Sequence, residues 1–443
     1  MISPRMTSEL PAGQVLESAE EAQAPAWGLA KRVLFRFAFA YFLLYNLPFP
    51  LDLVPFIKKP FEAFWNAAVP WAGKLLLGLD VTVKPNGSGD TTYNYVQVLC
   101  YLILAVAAAA VWSLLDRRRR EYSRLWEVLR LYLALVVGAT MLSYGAYKVI
   151  PSQFPAPFLG TLLQTYGNAS PMGILWTFMG ASAAYTMFGG LSEMLGGFLI
   201  VFRRTALLGA LICTGVLTNV VMLNMSYDVP VKLYSSHLLA QALLVATPNL
   251  RRLASLFLLN RPVPAEEIRP LFPKHWQNQA ALGLKVLFIL GFTGFTIYRS
   301  WHGYKEYAVD VATKTPFYGI WNVEEFAADG KVLPPLLTDT VRWRRVLFEF
   351  PGMLTVLPMD LDGEGRYYKL EADEKAGRLT LTQHKDKKWK SVLAVRKAGP
   401  DLLFLEGSFD GKPLRAKLRR QDHTKFLLLS RGFHWINEFP FNR

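Results

Sequence analysis

Residues Tyr95–Leu115 read YVQVLCYLILAVAAAAVWSLL, and Asp116 and four arginines, Arg117–Arg120, follow directly. Twenty-one uncharged and mostly apolar residues are enough for a helix that crosses the hydrocarbon core of a membrane. The arginine cluster at the end of this stretch favours the cytoplasmic side. The sequence here therefore predicts a transmembrane helix together with its orientation.

Apolar blocks recur on both sides of this stretch and predict a mainly α-helical polytopic bundle. Seven of them are predicted to span the membrane: Val33–Leu47, Tyr95–Leu115, Leu129–Val149, Gly173–Phe202, Ala206–Met225, Val231–Ala246 and Ala280–Ile297. With every arginine cluster on one face, the seven spans alternate without conflict. The N-terminus is then cytoplasmic and the C-terminus lies outside.

Composition and charge agree with a membrane protein. Of the 443 residues, 52% are hydrophobic and only 19% are charged, while Lys and Arg outnumber Asp and Glu by 49 to 34. A soluble nucleic-acid-binding protein with this excess of positive charge would have more charged residues and shorter apolar runs. We therefore assign the charge to membrane topology and expect no nucleic-acid partner.

The segments around the first spans predict little chemistry. Residues 1–30 are expected to form a disordered cytoplasmic arm, and residues 31–128 to hold the first membrane segments with an interfacial or re-entrant helix at Phe61–Leu79. Cys100 and Cys213 both lie in apolar blocks and form no CxxC motif, so we expect small core residues. The sequence indicates no metal and no covalently bound cofactor.

From Phe317 onward the pattern changes to short strings with period two, separated by turn signals. The predicted strands are Trp343–Phe350, Leu354–Met359, Arg366–Ala372, Leu379–Gln383, Lys390–Val395, Leu402–Leu405, Leu414–Leu418 and Phe426–Leu429, after a first strand that opens with Gly319-Ile320-Trp321. Hairpin loops are predicted at Asp362-Gly363, Ala376-Gly377 and Asp410-Gly411. This spacing predicts an all-β antiparallel barrel over residues 316–443.

The opening of that domain resembles the lipocalins. Gly319-Ile320-Trp321 matches their Gly-x-Trp, whose tryptophan packs under one end of the barrel, often against a late arginine, and Arg431 is the candidate here. Residues 251–299 are expected to form a cytoplasmic loop and the last span. The linker, residues 300–315, is short and is expected to hold the barrel directly over the outer ends of the spans.

Ionisable residues inside a membrane are costly and are functional candidates by default. They are Arg36, Lys148, Glu193, Asp228, Lys232 and His237. Arg36 lies one turn from the cytoplasmic end and is expected to extend its side chain to the interface.

Two readings stay open for the other members of this set. Asp228 caps the helix that follows it and pairs with Lys232, or Lys232 binds a ligand, because a cation in the first turn opposes the helix dipole. Lys148 is an interfacial lysine beside Tyr144, or it lines the same outer cavity as Lys232, together with Tyr144 and Gln153. His237 is a satisfied core donor or a ligand-binding group.

Glu193 stands on a stripe of small residues, with Gly189 four residues before it and Gly197 four residues after it. Such glycines let a neighbouring helix approach closely. Glu193 is then neutral and hydrogen-bonded across that contact, or it is ionised and has a proton pathway or a cationic partner.

The segment Gly189–Leu199, GGLSEMLGGFL, is followed by Arg203-Arg204 and Gly209-Ala210. In this order the motifs resemble the DoxX family of integral membrane proteins, over about residues 129–250. The resemblance implies a compact four-span core with a Gly/Glu-rich helix, a basic turn and a Gly-Ala helix. Members include membrane subunits of thiosulfate:quinone oxidoreductase, which implies a bacterial inner membrane and a link to quinones. In such a membrane the C-terminal barrel, which the predicted topology places outside, would be periplasmic.

The first hypothesis for function is the membrane part of a quinone-linked oxidoreductase with its site in the outer half of the bundle. Lys148, Lys232 or His237 would donate hydrogen bonds to the quinone carbonyls and stabilise the developing negative charge. Glu193 or Asp228 would supply protons. Electrons would come from a partner subunit or directly from substrate.

The ligand-binding candidates are Tyr144, Gln153, Tyr227 and Lys232. A second hypothesis is not enzymatic: the barrel binds a lipid or another apolar molecule and the bundle anchors it. A third is an accessory subunit of a larger membrane complex. The ligands to expect are thus a quinone or a bound lipid, and the partners are membrane lipids and further subunits.

Overall fold

The structure is a computed structural model that describes residues 26–51, 54–83, 86–265, 270–360, 365–383, 386 and 388–442. Most of the predicted arm and the predicted Asp362-Gly363 hairpin loop lie outside these residues. The chain divides into two compact units. Unit 1 comprises Met1–Val136 and Pro230–Thr247, and unit 2 comprises Val137–Val229 and Pro248–Arg443.

The α-helices are numbered here in chain order. They are α1 (Leu29–Asn46), α2 (Pro55–Leu77), α3 (Thr92–Leu115), α4 (Ser123–Val149), α5 (Leu159–Leu163), α6 (Pro171–Ala181), α7 (Ala183–Val201), α8 (Ala206–Ser226), α9 (Lys232–Ala246), α10 (Leu250–Leu253), α11 (His275–Tyr304), α12 (Val311–Lys314) and α13 (Leu427–Ser430). Among the described residues, five helices are long and apolar enough to cross a membrane: α3, α4, α7, α8, and α11 with its extension to Val309. The chain is therefore a membrane protein with a helical bundle.

The two other predicted spans also form helices, α1 and α9. Helix α9 has 15 residues, and at about 1.5 Å per residue it is shorter than a hydrocarbon core of roughly 30 Å. Helix α1 carries Lys31, Arg32 and Arg36 among its 18 residues. A membrane crossing by these two helices stays a prediction.

The predicted single helix at Gly173–Phe202 is interrupted at Ser182, which separates α6 from α7. The Ser182 side chain accepts a hydrogen bond from the Tyr185 N–H and so caps α7. The Thr186 hydroxyl donates to the Met179 carbonyl across the break at 2.6 Å. Serine and threonine thus satisfy the backbone groups that the interruption frees.

The predicted linker, residues 300–315, is largely helical. Helix α11 continues to Tyr304 and then as a π-helical turn through Val309. Near its end the Ser300 hydroxyl lies 2.7 Å from that of Ser152 and 3.3 Å from the Ala146 carbonyl. Helix α11 is therefore hydrogen-bonded to the end of α4 and to the residues that follow it.

The predicted barrel is confirmed. Its strands are β1 (Gly319–Ala328), β2 (Lys331–Val332), β3 (Trp343–Phe348), β4 (Met353–Pro358), β5 (Arg366–Asp373), β6 (Arg378–Thr382), β7 (Lys390–Lys397), β8 (Leu402–Phe409) and β9 (Lys412–Gln421). All strand pairs are antiparallel, and the order in the sheet is β2-β1-β3-β4-β5-β6-β7-β8-β9. Strand β9 closes the barrel on β1, from Ile320 opposite Gln421 to Ala328 opposite Leu414. The short β2 extends only the far end of β1.

Buried side chains fill the barrel, as the period-two pattern predicts. Trp321, Phe326 and Trp343 are nearly fully buried, and Leu379 and Leu393 are completely buried. Arg342 is also buried, and its guanidinium donates to the backbone carbonyls of residues 323, 324 and 333. This buried arginine holds the middle of β1 to the segment that follows β2.

Two predictions for the end of the chain are wrong. Phe426–Leu429 is not a strand: the barrel is already closed by β9, and the chain instead forms a 3₁₀ turn and α13. Arg431 does not pack on Trp321, whose indole donates to the Phe317 carbonyl at 2.8 Å. The arginine that lies over Gly319 at this end of the barrel is Arg420.

Candidate functional site

The candidate site of unit 2 is an ion pair between α4 and α7. The Lys148 Nζ donates to both carboxylate oxygens of Glu193, at 2.5 and 2.7 Å. Lys148 is 8% exposed and Glu193 2%. Lys148 stands in the last turn of α4, where the helix dipole favours a cation. Glu193 therefore has the cationic partner that its ionised form requires.

Glycines bring the two helices close enough for this pair. A Cβ on Gly190 would lie 2.7 Å from the Gly145 carbonyl oxygen, and one on Gly197 would lie 2.9 Å from that of Gly138. Backbone therefore packs on backbone at two levels, one on each side of Glu193. The predicted close approach is correct, but Gly189 takes no part in it, since a Cβ there meets nothing within 4 Å.

Two further predicted residues lie near the pair in sequence and space. The Tyr144 ring centroid is 5.8 Å from the Lys148 Nζ, one turn earlier on α4. The Gln153 N–H donates to the Tyr147 carbonyl at 3.1 Å, and its buried Oε1 accepts no hydrogen bond from the described residues. Lys148, Glu193, Tyr144 and Gln153 thus belong to the same region of unit 2.

Unit 1 holds His237 in a separate polar cluster. The His237 Nδ1 lies 2.6 Å from the Leu233 carbonyl, so this nitrogen donates and the Nε2 accepts from the Tyr41 hydroxyl, also at 2.6 Å. Tyr45 stacks on the imidazole with centroids 4.0 Å apart. One turn further on α9, Gln241 accepts from the Asn46 side chain at 3.0 Å. These contacts favour the core-donor reading of His237.

Lys232 begins α9, but its helix is capped by a residue that the sequence did not single out. The Asp90 carboxylate accepts from the N–H groups of Lys232 and Leu233, at 2.7 and 3.0 Å, and lies 3.9 Å from the Lys232 Nζ. This carboxylate offsets the unfavourable position of a cation in the first turn. Asp90 follows a Gly-Ser-Gly turn, and no local sequence pattern links it to a helix that begins 142 residues later.

The expected cap, Asp228, has a different place. It follows the end of α8, with Tyr227 as the C-terminal cap residue, and adopts a left-handed backbone conformation with φ of 53°. Aspartate tolerates this conformation better than most residues. The predicted capping role of Asp228 is therefore wrong, because the chain closes one helix there rather than opening the next.

Arg36 lies in unit 1, at the centre of a buried hydrogen-bond cluster. Its guanidinium donates to the Tyr122 hydroxyl at 2.6 and 3.0 Å, to the Ser113 hydroxyl at 2.7 Å and to the Asp116 carbonyl at 2.9 Å. Arg36 is 2% exposed, and the extension of its side chain to the membrane interface stays a prediction. The site fixes α1 to the end of α3 beside the four arginines.

Comparison with known proteins gives one relationship. The chain is 30% identical over 141 residues to the uncharacterized protein YwoB of Bacillus subtilis (strain 168), a match that covers 31% of the chain and 85% of YwoB. The chain belongs to the YwoB family. No protein-family model and no solved structure matches the chain.

The match to YwoB assigns no activity to this chain. The Lys148–Glu193 pair indicates which chemistry is possible. An ammonium carries three N–H donors, and within the described chain two hydrogen bonds of Lys148 go to Glu193. The pair can therefore offer a further donor and exchange a proton in an apolar setting. The described residues contain no group of three His, Cys, Asp or Glu side chains able to hold a metal ion.

Proposed function

We propose that this YwoB-family protein is a DoxX-like membrane protein and forms the membrane part of a quinone-linked oxidoreductase. The observation that carries the proposal is the buried Lys148–Glu193 pair. A buried ion pair is seldom retained for stability alone, because two apolar residues of similar volume serve at least as well. A role in chemistry gives a reason for it.

Quinone reduction needs what the pair can offer. The third Lys148 N–H donates to a quinone carbonyl oxygen, and the cation stabilises the negative charge that develops there as electrons arrive. The Lys148 ammonium transfers a proton to that oxygen, and the Glu193 carboxylate then relays a proton from solvent back to the Lys148 amine. The second quinone oxygen takes its proton from solvent, so two protons accompany the two electrons. Tyr144 contacts the ring, and the Gln153 Oε1, which accepts no hydrogen bond from the described residues, accepts one from the hydroxyl that forms at the second oxygen of the quinol. A partner subunit or a substrate supplies the electrons.

The proposed location is a bacterial inner membrane with the N-terminus in the cytoplasm and the barrel on the periplasmic side. It is supported by the arginines at 117–120, 203–204 and 251–252, which follow three apolar blocks on the face assigned to the cytoplasm. Lys148 lies at the opposite end of α4 from the arginine cluster. The quinone would then bind near the outer interface.

The test is the quinone content of protein purified in mild detergent. We expect extractable quinone in the wild type and a reduced content in Lys148→Met. Lys285→Met is the matched control, since it removes a lysine of unit 2 that donates to the Val201 carbonyl and leaves the pair intact. A wild type without quinone, or equal contents in all three proteins, would overturn the proposal.

A second candidate function is an accessory subunit that presents the barrel to a larger membrane complex. It is supported by the filled barrel interior, where Val346, Leu379, Leu381 and Leu393 have no exposed surface. Side chains with no exposed surface border no space large enough for water, so we place no lipid among them. Native mass spectrometry distinguishes the two functions, because it detects a bound small molecule or a stable partner subunit.

A further inference from the structure

One end of the barrel is joined to the membrane helices. Leu159, ten residues after α4, packs into one buried cluster with Ile320 of β1 and Leu347 of β3. The Gly160 N–H donates to the Glu349 carboxylate at 3.3 Å. Burial raises the pKa of Glu349 above the ordinary range of a carboxyl, and the backbone N–H groups of residues 159 and 160 offset part of that rise.

The second connection reaches the barrel at the same end. The candidate span that begins at His275 ends at Val309, and β1 starts at Gly319, only ten residues later. Strand β1 then runs away from this end for ten residues, about 33 Å. The Ile320 end therefore faces the membrane surface, whereas β2 lies at the far end.

The C-terminal segment leaves the barrel at the membrane-facing end. Phe426 packs against the cluster of Leu159, Ile320 and Leu347. The segment that follows is strongly apolar and exposed: Phe433 is 76% exposed, Trp435 90%, Ile436 78% and Phe439 83%. A monomeric water-soluble domain rarely leaves so many neighbouring large apolar side chains in water.

The exposed segment is ordered around an arginine. The Arg431 guanidinium lies 2.8 Å from the His434 ring nitrogens and donates to the Asn437 Oδ1 at 2.6 Å. It also lies over the Phe441 ring, 4.6 Å from the centroid. The polar groups and the Phe441 ring thus contact one another at the centre of the segment, whereas Phe433, Trp435, Ile436 and Phe439 stay exposed.

We infer that residues 426–442 form an interfacial anchor that inserts these aromatic side chains into the lipid headgroup region of the membrane that the bundle spans. Tryptophan and other amphipathic aromatics favour this depth, and interfacial segments bury their apolar face by about 5–10 Å. The location at the membrane-facing end selects the lipid over a water-soluble partner. The anchor holds the barrel at a fixed height and orientation over the helices.

The test uses spin labels on the full chain in lipid nanodiscs, with Cys100 and Cys213 replaced by serine and alanine. One label is placed by Ile436→Cys and the matched control by Val332→Cys, an equally exposed position on β2 at the far end of the barrel. Collision with molecular oxygen reports contact with lipid, and collision with a water-soluble nickel chelate reports contact with solvent. Phe433→Cys supplies a second label if Ile436→Cys does not fold.

We expect the tail label to collide with oxygen and to be protected from the nickel chelate, and the Val332 label to show the reverse. The triple substitution Phe433→Ser, Trp435→Ser and Phe439→Ser should return the Ile436 label to solvent. Equal nickel accessibility at both positions would overturn the inference. Protection of the tail label from both reagents would also overturn it, because a second copy or a partner protein would then cover the segment.

Discussion

Loss of one partner of the Lys148–Glu193 pair should destabilise the bundle far more than loss of both. Lys148→Met leaves the Glu193 carboxylate buried without its cation. Removing one member of a buried pair costs about 3–5 kcal/mol, whereas replacing both with apolar residues is neutral or stabilising by about 1–4 kcal/mol. The pair is 8% and 2% exposed, so solvent screening reduces the first figure little.

The assay is a double-mutant cycle on the purified protein in detergent micelles. We expect Lys148→Met and Glu193→Leu to lower the melting temperature each by on the order of 10 °C, at about 2–4 °C per kcal/mol. The double variant should recover most of the loss, which gives a large coupling energy. Single variants that melt like the wild type, or a double variant that melts lower than either single one, would refute the reasoning.

Three further changes test other parts of the structure. Gly190→Ala should lower the melting temperature of the bundle, because the added Cβ would lie within 3 Å of backbone atoms of α4. At Gly189 an added Cβ has no atom within 4 Å, so Gly189→Ala should raise helix stability by up to about 1 kcal/mol. Equal effects of the two substitutions would contradict the close contact between α4 and α7. Because burial raises the pKa of Glu349, this carboxyl keeps its proton in the native state at a pH where the unfolded chain has lost it. The free energy of unfolding should therefore fall as pH rises above about 4.3, the ordinary pKa of a glutamate. Glu349→Gln should flatten this dependence on pH, and an unchanged slope would exclude Glu349 as its source. Arg342→Met should destabilise the barrel by about 2–4 kcal/mol in a denaturant titration, because three backbone carbonyls lose their donor. The control Arg415→Ala removes an exposed ion pair and should cost less than about 1 kcal/mol. A comparable loss of stability in both variants would argue against a stabilising role of the buried Arg342 hydrogen bonds.

The architecture could be read from the sequence because it depends on patterns with a fixed period. Runs of uncharged residues such as Tyr95–Leu115 predict spans, and alternation with turn signals predicts the strands of the barrel. The wrong predictions concern features that the local sequence pattern does not determine. Phe426–Leu429 looks like a strand, but the closed barrel offers no free edge for it, and the break at Ser182 depends on side-chain capping inside an otherwise apolar run.

The residues of the candidate site could be predicted from the sequence, but the contact between them could not. Lys148 and Glu193 are rare charges in apolar segments, which singles them out. Their contact spans 45 residues and depends on how α4 and α7 are aligned, which no local spacing encodes. The same reason hides Asp90, whose carboxylate caps a helix that begins at Lys232.

The proposed role of the Lys148–Glu193 pair is tested most directly by the quinone content of the Lys148→Met/Glu193→Leu double variant in nanodiscs. This variant removes the chemistry of the pair and is expected to keep the fold, so its melting temperature serves as the internal control. We expect a wild type with bound quinone and a folded double variant without it. A folded double variant that retains the quinone content of the wild type would contradict a role of the pair in quinone binding.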